Sequence, residues 1–261
     1  MGFRVHAREG WTDALHGCPP GRTGGSGKGA PPLRRRRFGP TAFVGALLLV
    51  LALAVSLGLT AATAATAGVT FTVTSSADAV DANPGNGVCA TASGPCTVRA
   101  AIQETNALAG ADTIVLQAAT YELSIAGTNQ NLANVGDFDI TDSVTISGVG
   151  AGSTIVDGGT PPAGAPPQVH GLDRLFEISS DGATVTFSGL TLREGWAAEY
   201  GGAIMNSSLA TIRVLDSALT RNGAGKTGGA IDNHFAGAVE VEETTLSDNY
   251  AAEAGSALNN N

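Results

Sequence analysis

The chain predicts an all-β fold, a right-handed single-stranded parallel β-helix of 27-residue coils, and three sets of positions predict it. Gly201-Gly202-Ala203-Ile204 recurs as Gly228-Gly229-Ala230-Ile231 and, degraded, as Gly255-Ser256-Ala257-Leu258, each copy 27 residues after the last. At that spacing Val185, Ile212 and Val239 align, as do Phe187, Val214 and Val241, and Leu192, Leu219 and Leu246. Apolar residues thus alternate at period two within each coil, the mark of strands with one buried face. Polar positions obey the same period: Asn206, Asn233 and Asn260 form one column, Asn222 and Asn249 another. Such a repeat signals a stacked array, because one repeat cannot bury its apolar face alone.

The first 67 residues read as an address outside the fold. Arg34 to Arg37 precede an apolar run from Phe43 to Leu59 and a small-residue stretch ending Ala65-Thr66-Ala67. Positive flank, apolar core and an A-x-A site make a secretory signal, with a mature chain beginning at Gly68. The alternative is an uncleaved membrane anchor, since the run approaches the ~20 residues that span a bilayer. Residues 1–67 hold 8 of the 14 basic side chains but only 2 of the 23 acidic ones. The remaining 194 residues keep 6 basic and 21 acidic side chains, a formal charge of −15. Such a surface repels phosphate backbones and argues against nucleic-acid binding.

Residues 68–160 read as an N-terminal cap and first coils. Val69 to Val73 alternates, and Thr97 to Leu108 carries apolar residues at helical spacing, with Thr97 as N-cap and Gly110 as C-cap. Ile114 to Leu116, Tyr121 to Ile125, Val144 to Ile146 and Ile155-Val156 follow as short β segments. Cys18 leaves with the leader, while Cys89 and Cys96 remain as an even pair in an exported chain, where a local disulfide is expected over two free thiols. A loop rich in Pro, from Pro161 to Pro167, then leads into the regular coils of 161–261.

Within those coils the polar columns carry structural expectations. Stacked Asn side chains at turns can hydrogen-bond from coil to coil, and Asn tolerates the left-handed backbone of tight turns; a sugar-binding amide row is the alternative. Gly201, Gly202, Gly228 and Gly229 mark a repeated turn. Charged columns alternate in sign: Glu194, Arg221 and Asp248; Glu199, Lys226 and Glu253; Arg213 and Glu240. Opposite charges on neighbouring strands are mildly favourable. One column slips: Glu177 falls opposite Ile204 although Phe176 and Ile178 flank it, and a one-residue difference in a turn would repair it. The last copy stops at Asn261, so a longer parent protein is expected.

Two stretches resemble known families. Cys96-Thr97-Val98-Arg99-Ala100-Ala101-Ile102 resembles the CSLREA motif of exported bacterial β-helix proteins, with Thr97, Val98 and Ala100 replacing its Ser, Leu and Glu. The Gly-Gly-Ala-Ile boxes, followed by Leu219-Thr220-Arg221-Asn222 and Leu246-Ser247-Asp248-Asn249, resemble repeats of polymorphic outer-membrane proteins, with Leu in place of their Phe. The resemblances cover roughly residues 69 to 261 and imply a secreted or cell-surface β-helix.

Candidate chemistry is sparse. Gly223-Ala224-Gly225-Lys226-Thr227 imitates a phosphate loop, but Thr220 stands where its first glycine belongs and no strand–loop–helix unit surrounds it. Asp137, Asp139 and Asp142 are weak candidates for Ca²⁺ ligands, set against a solvated turn. Among the basic residues, Arg99 lies in the capping helix, and only Arg174 and Arg193 remain as candidate bases without acidic columns beside them. No catalytic residue and no cofactor is assigned. The function expected is adhesion or recognition of surface glycans or other cell-surface proteins. The alternatives are a Ca²⁺-dependent polysaccharide lyase or glycoside hydrolase, and a structural spacer.

Overall fold

A computed structural model describes residues 67–127 and 132–261, so the expected signal segment and Cys18 lie outside the described residues. In chain order the elements begin with β1 (Thr70–Thr72), α1 (Val98–Ala107), β2 (Asp112–Val115), β3 (Ala119–Glu122), β4 (Phe138–Ile140), β5 (Val144–Ser147) and β6 (Thr154–Asp157). After a loop come β7 (Phe176–Ile178), β8 (Thr184–Ser188), β9 (Thr191–Arg193) and β10 (Trp196–Ala197). The next stretch adds β11 (Ile204–Asn206), β12 (Thr211–Leu215), β13 (Ala218–Thr220) and β14 (Gly223–Ala224). The last adds β15 (Ile231–Asn233), β16 (Ala238–Glu242), β17 (Thr245–Ser247), β18 (Tyr250–Ala251) and β19 (Leu258–Asn260). No helix among the described residues is long and apolar enough to cross a membrane.

The strands form four open parallel sheets. Their orders are β1-β2-β5-β8-β12-β16, β3-β6-β9-β13-β17, β4-β7-β11-β15-β19 and β10-β14-β18. The register follows the 27-residue columns: Val185 pairs Ile212, which pairs Val239, and Leu192 pairs Leu219, which pairs Leu246. Ile204 pairs Ile231, and Ile231 pairs Leu258. The slipped column is repaired, with Phe176 opposite Ile204 and Glu177 opposite Met205. Five residues (179–183) separate β7 from β8 where four (207–210) separate β11 from β12. Earlier spacings are longer: Phe138 pairs Phe176 across the loop that contains Pro161 to Pro167.

One face of the strands up to β15 supplies the core, while Val239, Val241 and Leu246 of the later strands pack against it half-buried. Ile114, Ile146, Phe187 and Val214 stack in one sheet, all fully buried, and Phe138, Phe176, Ile204 and Ile231 in another. Phe176 lies with ring centroids 5.3 Å from Phe138 and 4.8 Å from Phe187, and such tilted pairs add about 1 kcal/mol each beyond the area they bury.

Both glycines of the repeated box are needed, for different reasons. Gly201 and Gly228 adopt φ of 64° and 66°, the left-handed region. A Cβ on Gly202 would run into the carbonyl of Gly229 and the backbone of Gly223. A second left-handed turn corrects an expectation. Its residues are not the ladder asparagines but the charged Glu194, Arg221 and Asp248, at φ 57°, 55° and 56°, each just before Gly195, Asn222 or Asn249. Asn222 and Asn249 are committed to hydrogen bonds, and the residue before each turns the chain.

The described residues before β2 are held by polar contacts and a disulfide. Cys89 and Cys96 form a disulfide. Thr97 caps α1, its Oγ1 accepting from the N–H of Ala100 at 3.1 Å. The C-cap is Leu108, not Gly110: the Leu108 N–H already donates to the Glu104 carbonyl, and Gly110 bends the chain only afterwards, at φ 130°. Arg99, which helical position alone leaves without a partner, is completely buried and grips Asp78 with Nε and Nη2 at 2.6 and 3.0 Å. It also donates to the carbonyls of Ala133, Gly136 and Asp137. The helix thereby holds the segment leading into β4.

Candidate functional site

The sheet containing β4, β7, β11, β15 and β19 carries the site. Along each strand the first residue points into the core and the second to the opposite face, because side chains alternate. The second residues form the column Asp139, Glu177, Met205, Asp232 and Asn259. On an outer face this column should be wet, yet Asp139 and Asp232 are fully buried and Met205 nearly so. Of this column Glu177 and Met205 line a cleft of about 660 Å³, together with Asp137, Asp173, Arg174, Ala198, Glu199, Tyr200, His234 and Phe235.

At one end of the cleft lies a carboxyl trio. One oxygen from each of Asp137, Asp139 and Glu177 falls within 4.8 Å of the others. Arg174 sits against it, Nε 3.1 Å from Asp137 Oδ2 and Nη1 3.5 Å from Glu177 Oε2. Glu177 also accepts from Ser207 Oγ at 3.0 Å, and Asp139 Oδ2 accepts from the Ala133 N–H at 2.8 Å. Burial pushes Asp137 up to about 8; Arg174 opposes the rise, while Asp139, Asp173 and Glu177 add to it. Burial raises Asp173 as well, against the hydrogen bond from the Arg174 N–H.

The rise at Asp137 has a stability consequence. Between about pH 4 and 8 the folded chain holds a proton that the unfolded chain has released. Stability from this group is therefore full at the acidic end, falls through that window and levels off above it. Urea unfolding midpoints should drop less over this range in Asp137→Asn than in the parent. Parallel pH profiles for the two proteins would show that Asp137 is not the group responsible.

The other end of the cleft is aromatic. Tyr200 and His234 lie 4.6 Å apart between ring centroids, and His234 meets Phe235 edge-on at 4.9 Å. Phe235 is 53% exposed. Lys226 Nζ lies 5.0 Å from the Tyr200 ring centre and 2.5 Å from Glu199 Oε1. Below them Asp232 accepts from Thr227 and from Asn259 Nδ2, and its other oxygen is 3.4 Å from His234 Nδ1.

Several positions singled out in the sequence fall elsewhere. Asp142 is outside the trio and accepts from the Ser143 N–H; Glu177 takes its place. Three carboxylates are the oxygen donors Ca²⁺ prefers but fewer than the six to eight it takes, so no cation is assigned to them. The segment around Asp139 is a buried strand, not a solvated turn, because Phe138 and Ile140 anchor it in the core. Arg174 and Arg193 are not unpaired: Arg193 Nε lies 2.6 Å from Asp157 Oδ2, in register through β6 and β9. Arg213 pairs with Glu240 and Arg221 with Glu194. The false phosphate loop is strand β14 and its turn, where a Cβ on Gly223 would meet the Trp196 ring. The asparagines form ladders, Asn206 Nδ2 to Asn233 Oδ1 at 2.7 Å, Asn233 to Asn260 at 2.5 Å and Asn222 to Asn249 at 3.1 Å.

The cleft itself escaped sequence reasoning. Its signal was the Phe-Asp-Ile of Phe138–Ile140 repeated as Phe-Glu-Ile at Phe176–Ile178, at a spacing far from 27. In comparisons with known proteins, no family model, no curated protein and no solved structure matches the chain.

Proposed function

We propose that the chain is an exported, right-handed parallel β-helix that recognises carbohydrate through this cleft. The 27-residue register and the addition of one strand to each sheet per repeat support the helical winding. The disulfide is compatible with an oxidising compartment outside the cytoplasm. The observation that carries the carbohydrate reading is the aromatic ledge of half-buried Tyr200 and His234 with exposed Phe235, beside a row of carboxylates. Sugars present apolar C–H faces that pack on aromatic rings and hydroxyl donors that carboxylates accept. Binding sites of this kind combine apolar walls with a few placed polar groups.

The test is a panel of polysaccharides and cell-surface glycans offered to the full chain, with and without Ca²⁺. Retention of at least one glycan without cleavage is expected, weakened about tenfold, or roughly 1.4 kcal/mol, by Phe235→Ala. A panel with no ligand would leave the spacer reading in its place. The carboxyl trio favours one second reading, a glycoside hydrolase, because a carboxyl held protonated by burial, as Asp137 is, among other carboxyl groups is where that chemistry finds its acid. Release of reducing ends that disappears in Asp137→Asn would replace recognition with hydrolysis.

A further inference from the structure

We infer that cutting the chain between Ala67 and Gly68 creates a structural ion pair, in which the new α-ammonium of Gly68 docks on the buried carboxyl of Asp112. This rests on the export reading and is independent of the carbohydrate one. Asp112 opens β2 on the core side of the strand, in a column continued by Val144, Val185, Ile212 and Val239. Every later strand of that sheet thus carries an aliphatic side chain where β2 carries an acid. Asp112 is only 1% exposed. Its Oδ1 accepts from the Val69 N–H at 2.7 Å. Its Oδ2 is buried and accepts no hydrogen bond among the described residues. Leaving a buried carboxyl oxygen without a donor is costly and rare, so the position calls for one.

The backbone brings Gly68 to that position. Val69 is tied to β2 on both sides, its N–H to Asp112 and its carbonyl accepting from the Thr113 N–H at 2.8 Å. Gly68 presses on the same strand: a Cβ there would run into the Ala111 carbonyl, so only glycine permits the approach. Successive residues of an extended chain are roughly 3.5 Å apart, which sets the Gly68 nitrogen one step from the Asp112 carboxyl. In the uncut chain this nitrogen is an amide, with a single donor held in the peptide plane. The small residues of Ala65-Thr66-Ala67 just before it suit a leader peptidase. Hydrolysis adds the hydroxyl of water to the Ala67 carbonyl carbon and a proton to the Gly68 nitrogen as the C–N bond breaks. The acid formed on Ala67 gives up its proton and the amine, at neutral pH, takes one. The resulting ammonium carries three donors that can rotate onto Oδ2. Hydrogen bonds between such charged partners are about twice as strong as neutral ones. Removal of the leader therefore stabilises the fold that it releases.

The test begins with the full chain in detergent micelles, cut by a bacterial signal peptidase, with the new N-terminus read by mass. A product beginning at Gly68 is expected. In urea titrations, cutting should lower the ratio of unfolded to folded chain about tenfold at a given urea concentration. The gain should vanish in Asp112→Asn. It should vanish too in a chain with one extra glycine inserted between Gly68 and Val69, which keeps Asp112 and Val69 but moves the ammonium one residue outward. The α-amine of the folded parent product should react with an amine-directed ester about tenfold more slowly than that of the extra-glycine product. An equal gain on cutting in the extra-glycine chain, or equal reactivity of the two amines, overturns the inference and leaves export standing. A product that begins at another residue overturns it in the same way. A chain that the peptidase leaves intact overturns both the inference and the cleaved-leader reading beneath it.

Discussion

Arg99→Met should cost about 3–5 kcal/mol of folding stability, the cost of removing one partner of a buried ion pair. Asp78, 2% exposed at its side chain, would keep its charge with no cation beside it. Its Oδ2 would still accept from the Ser124 and Ile125 N–H groups. The carbonyls of Ala133, Gly136 and Asp137 would lose the guanidinium that gathers them. Those carbonyls flank the strand that carries Asp139, so ligand binding should fall with stability. Chemical denaturation of Arg99→Met beside the double variant Asp78→Leu/Arg99→Met separates charge from packing. The double variant should recover part of the loss. A double variant as unstable as the sum of both single losses would show that the pair contributes little as a pair.

The second large effect is expected at Asn222. Its side chain is completely buried, with Oδ1 accepting from the Gly195 N–H at 2.9 Å and Nδ2 donating to the Leu192 carbonyl at 3.0 Å and to Asn249. Asn222→Leu matches the volume but leaves the Gly195 N–H and the Leu192 carbonyl without these partners, about 1–3 kcal/mol for each orphaned group. Asn249→Leu should cost less, because Asn249 is only partly buried. Thermal melts that rank the two in the opposite order would place the ladder's stabilisation at its open end.

The register of the later parallel strands was legible in the sequence because its apolar columns are read three times, so that a single ambiguous residue is outvoted by its neighbours. Val185, Ile212 and Val239 identify one another, and so do Glu199 and Lys226. The cleft was not, because its residues come from stretches of unequal length. Asp139 reaches Glu177 across 38 residues, a separation set by the loop containing Pro161 to Pro167 and not by the repeat. Arg174 was misjudged for the same reason: its partner Asp137 lies in no 27-residue column. Asp232 was passed over because a carboxylate on an outer strand position is ordinarily solvated, whereas here it is buried among Thr227, His234 and Asn259.

The constant spacing between the glycine boxes also makes the chain editable in whole units. Excising residues 202–228 would join Gly201 to Gly229, and each side chain on the far side would meet the column mate of the one it lost. Duplicating the same stretch would keep the apolar columns in register. Recombination between copies thus preserves the core pattern but not the alternation of charge: excision would set Glu194 beside Asp248 and Glu199 beside Glu253 and would take Ser207 from Glu177, while the contacts of Arg99 stay untouched.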